Sequence, residues 1–355
     1  MAELGLSEAA TERVRAWLLS LAGPPTAPAD SLIGGPTVLE ALTASGWSPI
    51  TTEPLGPLQG ASRYVLLERI GSGGMGEVWR VRDQNLNRTM AMKLIHPKLS
   101  GALERFIEEA QVTAQLAHPG IVPVYDLGRL PDGRYYFTMQ EVRGQTLLRA
   151  IRAVHGASSP QAWGRAGAWS LRGLVSALQR AAEAVAFAHD RGVIHRDLKP
   201  ANVLLGRFGA VQVVDWGIAR LVGRPAPSEE PVVTDRSQSD GQETLAGVVL
   251  GTPAYMPPEQ AYGWVNRIDA RSDVYALGAT LYHILSGAPP YRDGAAGTAL
   301  QQVLAGPPRP LGSRGGPPAP EPLVGVCRAA MTRELGRRTK TAGEVAASLS
   351  EWLAR

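Results

Sequence analysis

Apolar and polar positions alternate along residues 64–95 with the two-residue period of β-strands. Apolar side chains of 64–70 and 78–81 stand between polar ones, and 90–95 is a further, mostly apolar run. A glycine-rich stretch at 71–76 separates the first two runs. The pattern predicts a glycine-rich hairpin followed by another strand. Shorter apolar runs predict strands at 121–125, 134–141 and 211–214.

A helical period takes over after residue 102. Apolar residues recur every three or four positions, so an amphipathic helix is predicted over 103–116. We expect Ala114 to lie on its core face, Glu109 beside that face and Glu108 more towards solvent. The same period predicts helices at 147–155 and 171–190.

The first 60 residues have a different composition. Ser7 is placed to cap a helix with an apolar stripe at 14, 17, 18 and 21, and a second short helix is predicted over 36–46. Two short helices cannot bury much surface alone, so this extension is expected to dock on the main domain, pair with a partner or stay mobile. A spacer without chemistry is the alternative.

Composition excludes several classes of protein. The chain has 355 residues, 44% of them hydrophobic, enough for a sizeable core. A net charge of only +4 gives no nucleic-acid footprint, and the single cysteine, Cys327, excludes a disulfide framework and fits a reducing cytosol. No run approaches the roughly 18 apolar residues of a membrane span. We therefore expect a soluble, cytoplasmic chain; a membrane anchor outside this sequence stays open.

The glycine-rich segment points to phosphate binding. A dinucleotide-binding glycine loop is followed by a helix and an acid about 20 residues on, but here a strand carrying Lys93 follows. A Walker loop would need Lys-Ser or Lys-Thr at its end, and this one has neither. The remaining interpretation is a hairpin whose backbone closes over nucleotide phosphates, with Lys93 reaching them.

Residues 193–205 place an acid, a cation and an amide between two apolar runs. Asp197 is placed to accept a hydroxyl proton, Lys199 to neutralise a transferring phosphate and Asn202 to bind a metal ion. A polar surface turn between two strands is the alternative.

This segment, His195-Arg196-Asp197-Leu198-Lys199-Pro200-Ala201-Asn202, resembles the catalytic loop of bacterial Hanks-type serine/threonine protein kinases. Asp215-Trp216-Gly217 is similar to the family's Asp-Phe-Gly, with tryptophan in place of phenylalanine. The stretches 251–260 and 269–278 resemble the end of the activation segment and the start of the central helix of the large lobe. The resemblance covers about residues 62–353.

The resemblance implies an α+β, bilobal protein kinase fold. Its small antiparallel β lobe, with one main helix, is expected at about 61–141, and its larger, mostly helical lobe at about 144–353. Residues 1–60 would then be an N-terminal extension and 61–353 the catalytic domain.

The resemblance also assigns roles to individual residues. Lys93 would pair with Glu109, while Asp197 and Lys199 would act on the acceptor. Met139 would gate the pocket behind the adenine. The residues expected at the ATP site are Ile70, Gly71, Ser72, Gly73, Gly74, Met75, Gly76, Val78, Ala91, Lys93, Met139, Gln140 and Val142. The metal ligands would be Asn202 and Asp215, for Mg²⁺ with Mn²⁺ as the alternative. The structural supports would be Thr252, Glu259, Asp273 and Arg338.

The implied activity is ATP-dependent phosphorylation of serine and threonine in proteins. A pseudokinase scaffold is the alternative from another class, and the intact catalytic set argues against it. A dinucleotide-dependent oxidoreductase is the third interpretation, and it is excluded because a strand, not a helix, follows the glycine loop. Arg196 before Asp197 implies an activation segment switched by phosphorylation in trans, with possible self-association. Thr244 is favoured over the other candidates, which are Ser228, Thr234, Ser237 and Ser239.

Overall fold

The computed structural model describes residues 63–73, 76–95, 103–156, 169–216, 220–221, 232, 234, 251–294, 297–312 and 319–355. Contacts divide the chain into one unit at Met1–Pro57 and another at Leu58–Arg355. Every described residue belongs to the second unit. The predictions made for the first 60 residues, for Gly74 and Met75 and for Thr244 lie outside the described residues.

A five-stranded antiparallel sheet forms the first part of the described chain. Its spatial order is β1-β2-β3-β5-β4. The strands are β1 (Tyr64–Gly73), β2 (Gly76–Asp83), β3 (Arg88–Ile95), β4 (Val124–Arg129) and β5 (Tyr135–Met139). Because β2 pairs with β3 in continuous register, Val78 faces Lys93 across the ladder. The glycine-rich hairpin is thereby placed beside the lysine.

Helix α1 (Leu103–Gln115) packs on this sheet. The Phe106 ring lies 5.0 Å from the Phe137 ring, centroid to centroid. The expected core position of Ala114 is wrong, because Ala114 is exposed whereas Glu109 and Thr113 are buried. The buried stripe is rotated towards Glu109, which the apolar pattern had placed only beside it, because Glu109 turns inward to meet Lys93.

The second part of the described chain is mostly helical. Its helices are α2 (Leu147–His155), α3 (Leu171–Asp190), α4 (Pro258–Ala261), α5 (Ala270–Ser286), α6 (Ala299–Ala305), α7 (Glu321–Ala330) and α8 (Ala342–Ala354). Side-chain oxygens of Thr146, Ser170 and Asp269 cap the first turns of α2, α3 and α5. Helix α5 is buried along nearly its whole length, so the other helices pack around it.

Short strands carry the polar segments between the two parts. Strands β6 (Gly144–Thr146), β8 (Val203–Gly206) and β9 (Val211–Val213) form one sheet, and β7 (Val193–Ile194) pairs with β10 (Arg220–Leu221). The catalytic loop therefore lies between β7 and β8, and Asp215 follows β9. Because β8 and β9 are paired in one sheet, the end of the catalytic loop and the start of the Asp215 segment are held beside each other.

The strand predicted at 121–125 begins later than expected. Ile121 makes only an isolated parallel bridge to Val213, and regular pairing starts at Val124. Pro123 lies between them and has no N–H to donate to a ladder, although its carbonyl accepts from Gln140 N at 3.1 Å.

Candidate active site

One buried carboxylate binds two backbone N–H groups of the catalytic loop. Asp273, on α5, is 1% exposed. Its Oδ2 accepts from His195 N at 2.8 Å and its Oδ1 accepts from Arg196 N at 2.9 Å. Arg196 has a φ of +67°, a conformation that an arginine rarely adopts unless the surroundings hold it. Asp273 thus fixes the turn that presents Asp197.

A histidine completes this brace. His189, at the end of α3, places its Nε2 2.8 Å from Asp273 Oδ2. Burial alone would raise the pKa of Asp273, but the His189 hydrogen bond, the charges of His189 and His195 and the backbone N–H of His195 bring it below its usual value. The carboxylate is therefore the charged form that the loop needs.

Asp197 is bound on both of its oxygens. Lys199 Nζ lies 2.6 Å from Asp197 Oδ2, and Thr252 N donates to Asp197 Oδ1 at 2.9 Å. Lys199 Nζ also donates to Thr252 Oγ1 at 2.7 Å. The acid, the cation and the segment that begins at Gly251 are consequently one connected unit.

Lys93 and Glu109 form an ion pair in the small sheet. Lys93 Nζ is 2.6 Å from Glu109 Oε1 and 2.8 Å from Oε2. Desolvation lowers the pKa of Lys93, but the charges of Glu109 and Asp215 outweigh it and raise that pKa. Burial raises the pKa of Glu109, against the opposing effect of Lys93. The contact to both carboxylate oxygens is the geometry of a charged pair.

Asp215 lies within ion-pair distance of Lys93. Its Oδ1 is 3.5 Å from Lys93 Nζ, its side chain is 45% exposed, and its φ is +68°. Asn202 Nδ2 donates to the carbonyl of Asp197 at 2.9 Å, and Val214 N donates to Asn202 O at 3.0 Å. These bonds hold the Asn202 amide beside the segment that carries Asp215.

The oxygens of Asn202 and Asp215 fit a hard divalent cation. Within the described ranges, no cluster of three or more His, Cys, Asp or Glu side chains could hold a metal. A pair of oxygen ligands suits Mg²⁺, which keeps waters and binds substrate phosphates rather than a full protein cage.

Trp216, which takes the place of the phenylalanine in Asp-Phe-Gly, is a buried core residue. It is 1% exposed and lies in one apolar cluster with Val112 of α1, and its ring is 4.6 Å from the His195 ring. Its indole Nε1 is buried without a hydrogen-bond partner among the described residues. Trp216 therefore packs against His195 of the catalytic loop and belongs to the same buried core as Val112 of α1.

The walls of the cleft come from β1, β2, β3 and the end of β5. Ala91 pairs with Met139, and Gln140, Glu141 and Val142 follow directly. A Cβ on Gly76 would lie 1.9 Å from the carbonyl oxygen of Leu94, so only glycine allows β2 to approach β3 there. The other residues assigned to ATP in this part of the structure are Ile70, Gly71, Ser72, Gly73 and Val78, all on β1 and β2.

Comparison with known proteins agrees with this geometry. The protein kinase domain model matches residues 64–306. The chain belongs to the protein kinase family. The DNA damage-responsive serine/threonine-protein kinase RqkA of Deinococcus radiodurans is 35% identical over 291 residues, which cover 81% of this chain and 39% of that protein. Serine/threonine-protein kinase PknB of Mycobacterium tuberculosis is 37% identical over 296 residues, covering 81% and 42%.

The crystal structure of the Mycobacterium tuberculosis PknI kinase domain is similar, with a TM-score of 0.55 and 25% identity, covering 82% of this chain and 96% of that chain. The bacterial Hanks-type family and the bilobal α+β kinase fold, both expected from the catalytic loop, are confirmed. The chain spans about two fifths of the length of the curated relatives, from 39% and 42% coverage. Members of the family use ATP with a divalent metal and act on proteins.

No helix in the described part of this kinase is long and apolar enough to cross a bilayer.

Two assigned support residues form a fully buried pair. Arg338 Nη1 and Nη2 lie 2.7 and 3.0 Å from the oxygens of Glu259, and Ser272 Oγ also donates to Glu259 Oε1 at 2.8 Å. The pair ties the end of the activation segment to the stretch between α7 and α8, and Ser272 ties it to α5.

Sequence reasoning missed further contributors to the kinase site. Gln260 Nε2 donates to Arg196 O at 2.9 Å, and His189 braces Asp273. Glu141 anchors the segment after β5 by pairing with Arg80. His189 was identifiable as a polar residue at the end of an apolar helix, four residues before β7; Gln260 and Glu141 carried no such signal.

Proposed function

We propose that this chain transfers the γ-phosphoryl group of ATP to serine and threonine hydroxyls of proteins. The observation that carries the proposal is the unit of Asp197, Lys199 and Thr252, whose atoms lie within 2.9 Å of one another at the cleft. It supplies a proton acceptor, a cation and a fixed segment for the acceptor chain.

Asp197 orients the incoming hydroxyl and accepts its proton as the new P–O bond forms, while the bond from the γ-phosphorus to the bridging oxygen breaks and ADP leaves. Lys199, fixed between Asp197 and Thr252, neutralises negative charge on the phosphoryl oxygens during transfer. Because these groups are held in place before substrate arrives, positioning and preorganised charge both lower the activation barrier of transfer.

Lys93 binds the nucleotide phosphates on the opposite wall, and Glu109 keeps its ammonium group in place. Asn202 and Asp215 would hold Mg²⁺, or Mn²⁺ in its place, which when bound neutralises phosphate charge. The backbone of Gln140 to Val142 would bind the adenine edge, with Met139 at the rear of the pocket.

We further propose control by phosphorylation of the activation segment, between copies that associate transiently. The support is Arg196, whose backbone is fixed by Asp273 and Gln260 immediately before Asp197. Thr244 is the favoured acceptor. A cytoplasmic location is proposed because ATP is the phosphoryl donor and the single thiol, Cys327, is buried and unbridged.

The test is incubation of the chain with radiolabelled ATP, Mg²⁺ and a generic protein substrate, followed by phosphoamino-acid analysis. Labelled phosphoserine and phosphothreonine are expected. Predominant phosphotyrosine would overturn the acceptor assignment, and nucleotide binding without any transfer would favour a pseudokinase scaffold.

A further inference from the structure

Helix α2 carries basic residues along one side. Arg149, Arg152 and His155 are spaced three apart, so they neighbour one another on the helix surface. Its first turn has no acidic residue. The opposite side packs in the core through Leu147, Ala150, Ile151 and Val154. The helix therefore presents an arginine pair outward while its position is fixed by packing.

Two hydrogen bonds through α5 connect the His155 end of this basic side to the segment 252–255. His155 Nε2 lies 2.8 Å from the carbonyl oxygen of Ile284, and the neighbouring His283 Nδ1 lies 2.6 Å from Tyr255 Oη. Burial raises the pKa of Tyr255, and the charge of Arg152 acts on the same phenol in the opposite direction. Tyr255 comes three residues after Thr252, which binds Asp197.

The arginine pair is not neutralised by the described part of the protein. Arg149 and Arg152 are exposed, and neither guanidinium has an ion-pair or hydrogen-bond partner among the described residues. The adjoining segments 144–146, 200–202 and 253–255 contain no carboxylate. Like charges at this helical spacing repel, so an anion supplied from outside would be stabilising.

We propose that Arg149 and Arg152 form a subsite for an aspartate or glutamate side chain of the protein substrate, close to the serine or threonine that is phosphorylated. The proposal rests on the kinase function proposed above. A guanidinium group binds a carboxylate through two parallel hydrogen bonds, which makes arginine suited to recognising one acidic residue. This kinase would thus prefer acidic sequences around its acceptor.

The test is a panel of peptides with one serine in an alanine-rich background. Aspartate or lysine is placed singly at each position up to four residues on either side, a reach of about 13 Å in extended chain. With the full chain as enzyme, aspartate at one or more positions should raise kcat/KM about fivefold to tenfold over alanine, mainly through KM. The gain should shrink at high ionic strength.

Variants then assign the preference to the two arginines. Arg149→Glu/Arg152→Glu should reverse the ranking, so that lysine replaces aspartate at the responsive positions, and Arg149→Ala/Arg152→Ala should abolish it. Arg328→Glu, the same substitution at a single exposed position on α7, should leave the aspartate preference intact. Unchanged melting temperatures would show that both double variants fold.

Equal kcat/KM for aspartate and alanine peptides in the natural chain would overturn the inference while leaving the kinase function standing. So would an aspartate preference that survives in both double variants. Failure to phosphorylate any peptide, including the alanine-rich parent, would overturn the proposed function and this subsite with it.

Discussion

Asp197 is the side chain on which the proposed chemistry depends most. Asp197→Asn keeps the shape and the contact with Thr252 N but removes the proton acceptor and the charge partner of Lys199. We expect phosphoryl transfer to fall on the order of 10³-fold or more, about 4 kcal/mol of barrier, while ATP still binds.

The measurement is peptide phosphorylation together with nucleotide affinity and melting temperature. Asp132→Asn, in an exposed turn, provides a matched control that should retain full activity. Undiminished transfer by a folded Asp197→Asn protein would reject this residue as the proton acceptor.

Asp273 links stability to pH because its folded-state pKa is lowered. Its contribution is fully present above the unfolded-state pKa of about 3.9 and is lost as pH falls through the lower folded-state value. Asp273→Asn should lower the free energy of unfolding by about 3 kcal/mol at pH 7, since it weakens a buried charged network.

That deficit should begin to narrow below about pH 4, because the Asp273 carboxylate of the unfolded chain then takes up a proton while that of the folded protein is still charged. Urea unfolding at pH 7, 5 and 3.5 measures it. A deficit that stays constant across this range would show that packing, not the charge of Asp273, braces the catalytic loop.

At the scale of single elements, helix α1 positions the lysine through one of two adjacent glutamates. Glu109→Gln leaves the helix and its packing but removes the charge that holds Lys93, so kcat/KM for ATP should fall about 10- to 100-fold. Glu108→Gln, one residue away and only partly buried, should change it less than about twofold.

Steady-state kinetics with ATP as the varied substrate separate these outcomes. The assignment fails if the two variants are equally active, or if Glu108→Gln is the more damaging one.

The elements show which parts of the fold were predictable. The bounds of α2 and α3 match the predicted 147–155 and 171–190, because a strong apolar period coincides with a capping Thr or Ser at each start. The core face of α1 was predicted wrongly at Ala114, because an ion pair with a distant strand, invisible to periodicity, draws Glu109 inward. Periodicity also placed the start of β4 too early, because Pro123 has no N–H to donate and regular pairing begins only at Val124.

At the scale of the whole molecule, side-chain bonds join segments far apart in sequence. Lys93 reaches Asp215, and Arg338 reaches Glu259 at the end of the activation segment. The motifs identified which residue types take part, since each occurs at a characteristic spacing. Distances such as 2.8 Å from His189 to Asp273 depend on how α3 and α5 pack, which no local pattern contains.

The last prediction concerns the state of the molecule as a whole. Thr244 lies outside the described residues, eight positions before Thr252, which binds both Asp197 and Lys199. A phosphate there would carry about −1.5 to −2 charges and make one to three charge-assisted hydrogen bonds, with Arg196 as the expected partner. Those bonds would order the segment and complete the acceptor site.

Mass spectrometry of active protein should therefore find phosphate on Thr244. Phosphatase treatment should lower activity by at least about tenfold, and ATP should restore it in the natural chain but not in Thr244→Ala. Ser228→Ala, a substitution earlier in the same segment and farther from Thr252 in sequence, is the matched control. ATP should reactivate it normally. Because trans-phosphorylation needs two copies, the initial rate of reactivation should rise with the square of protein concentration. Full activity of unphosphorylated Thr244→Ala would show that other contacts hold the acceptor site in place.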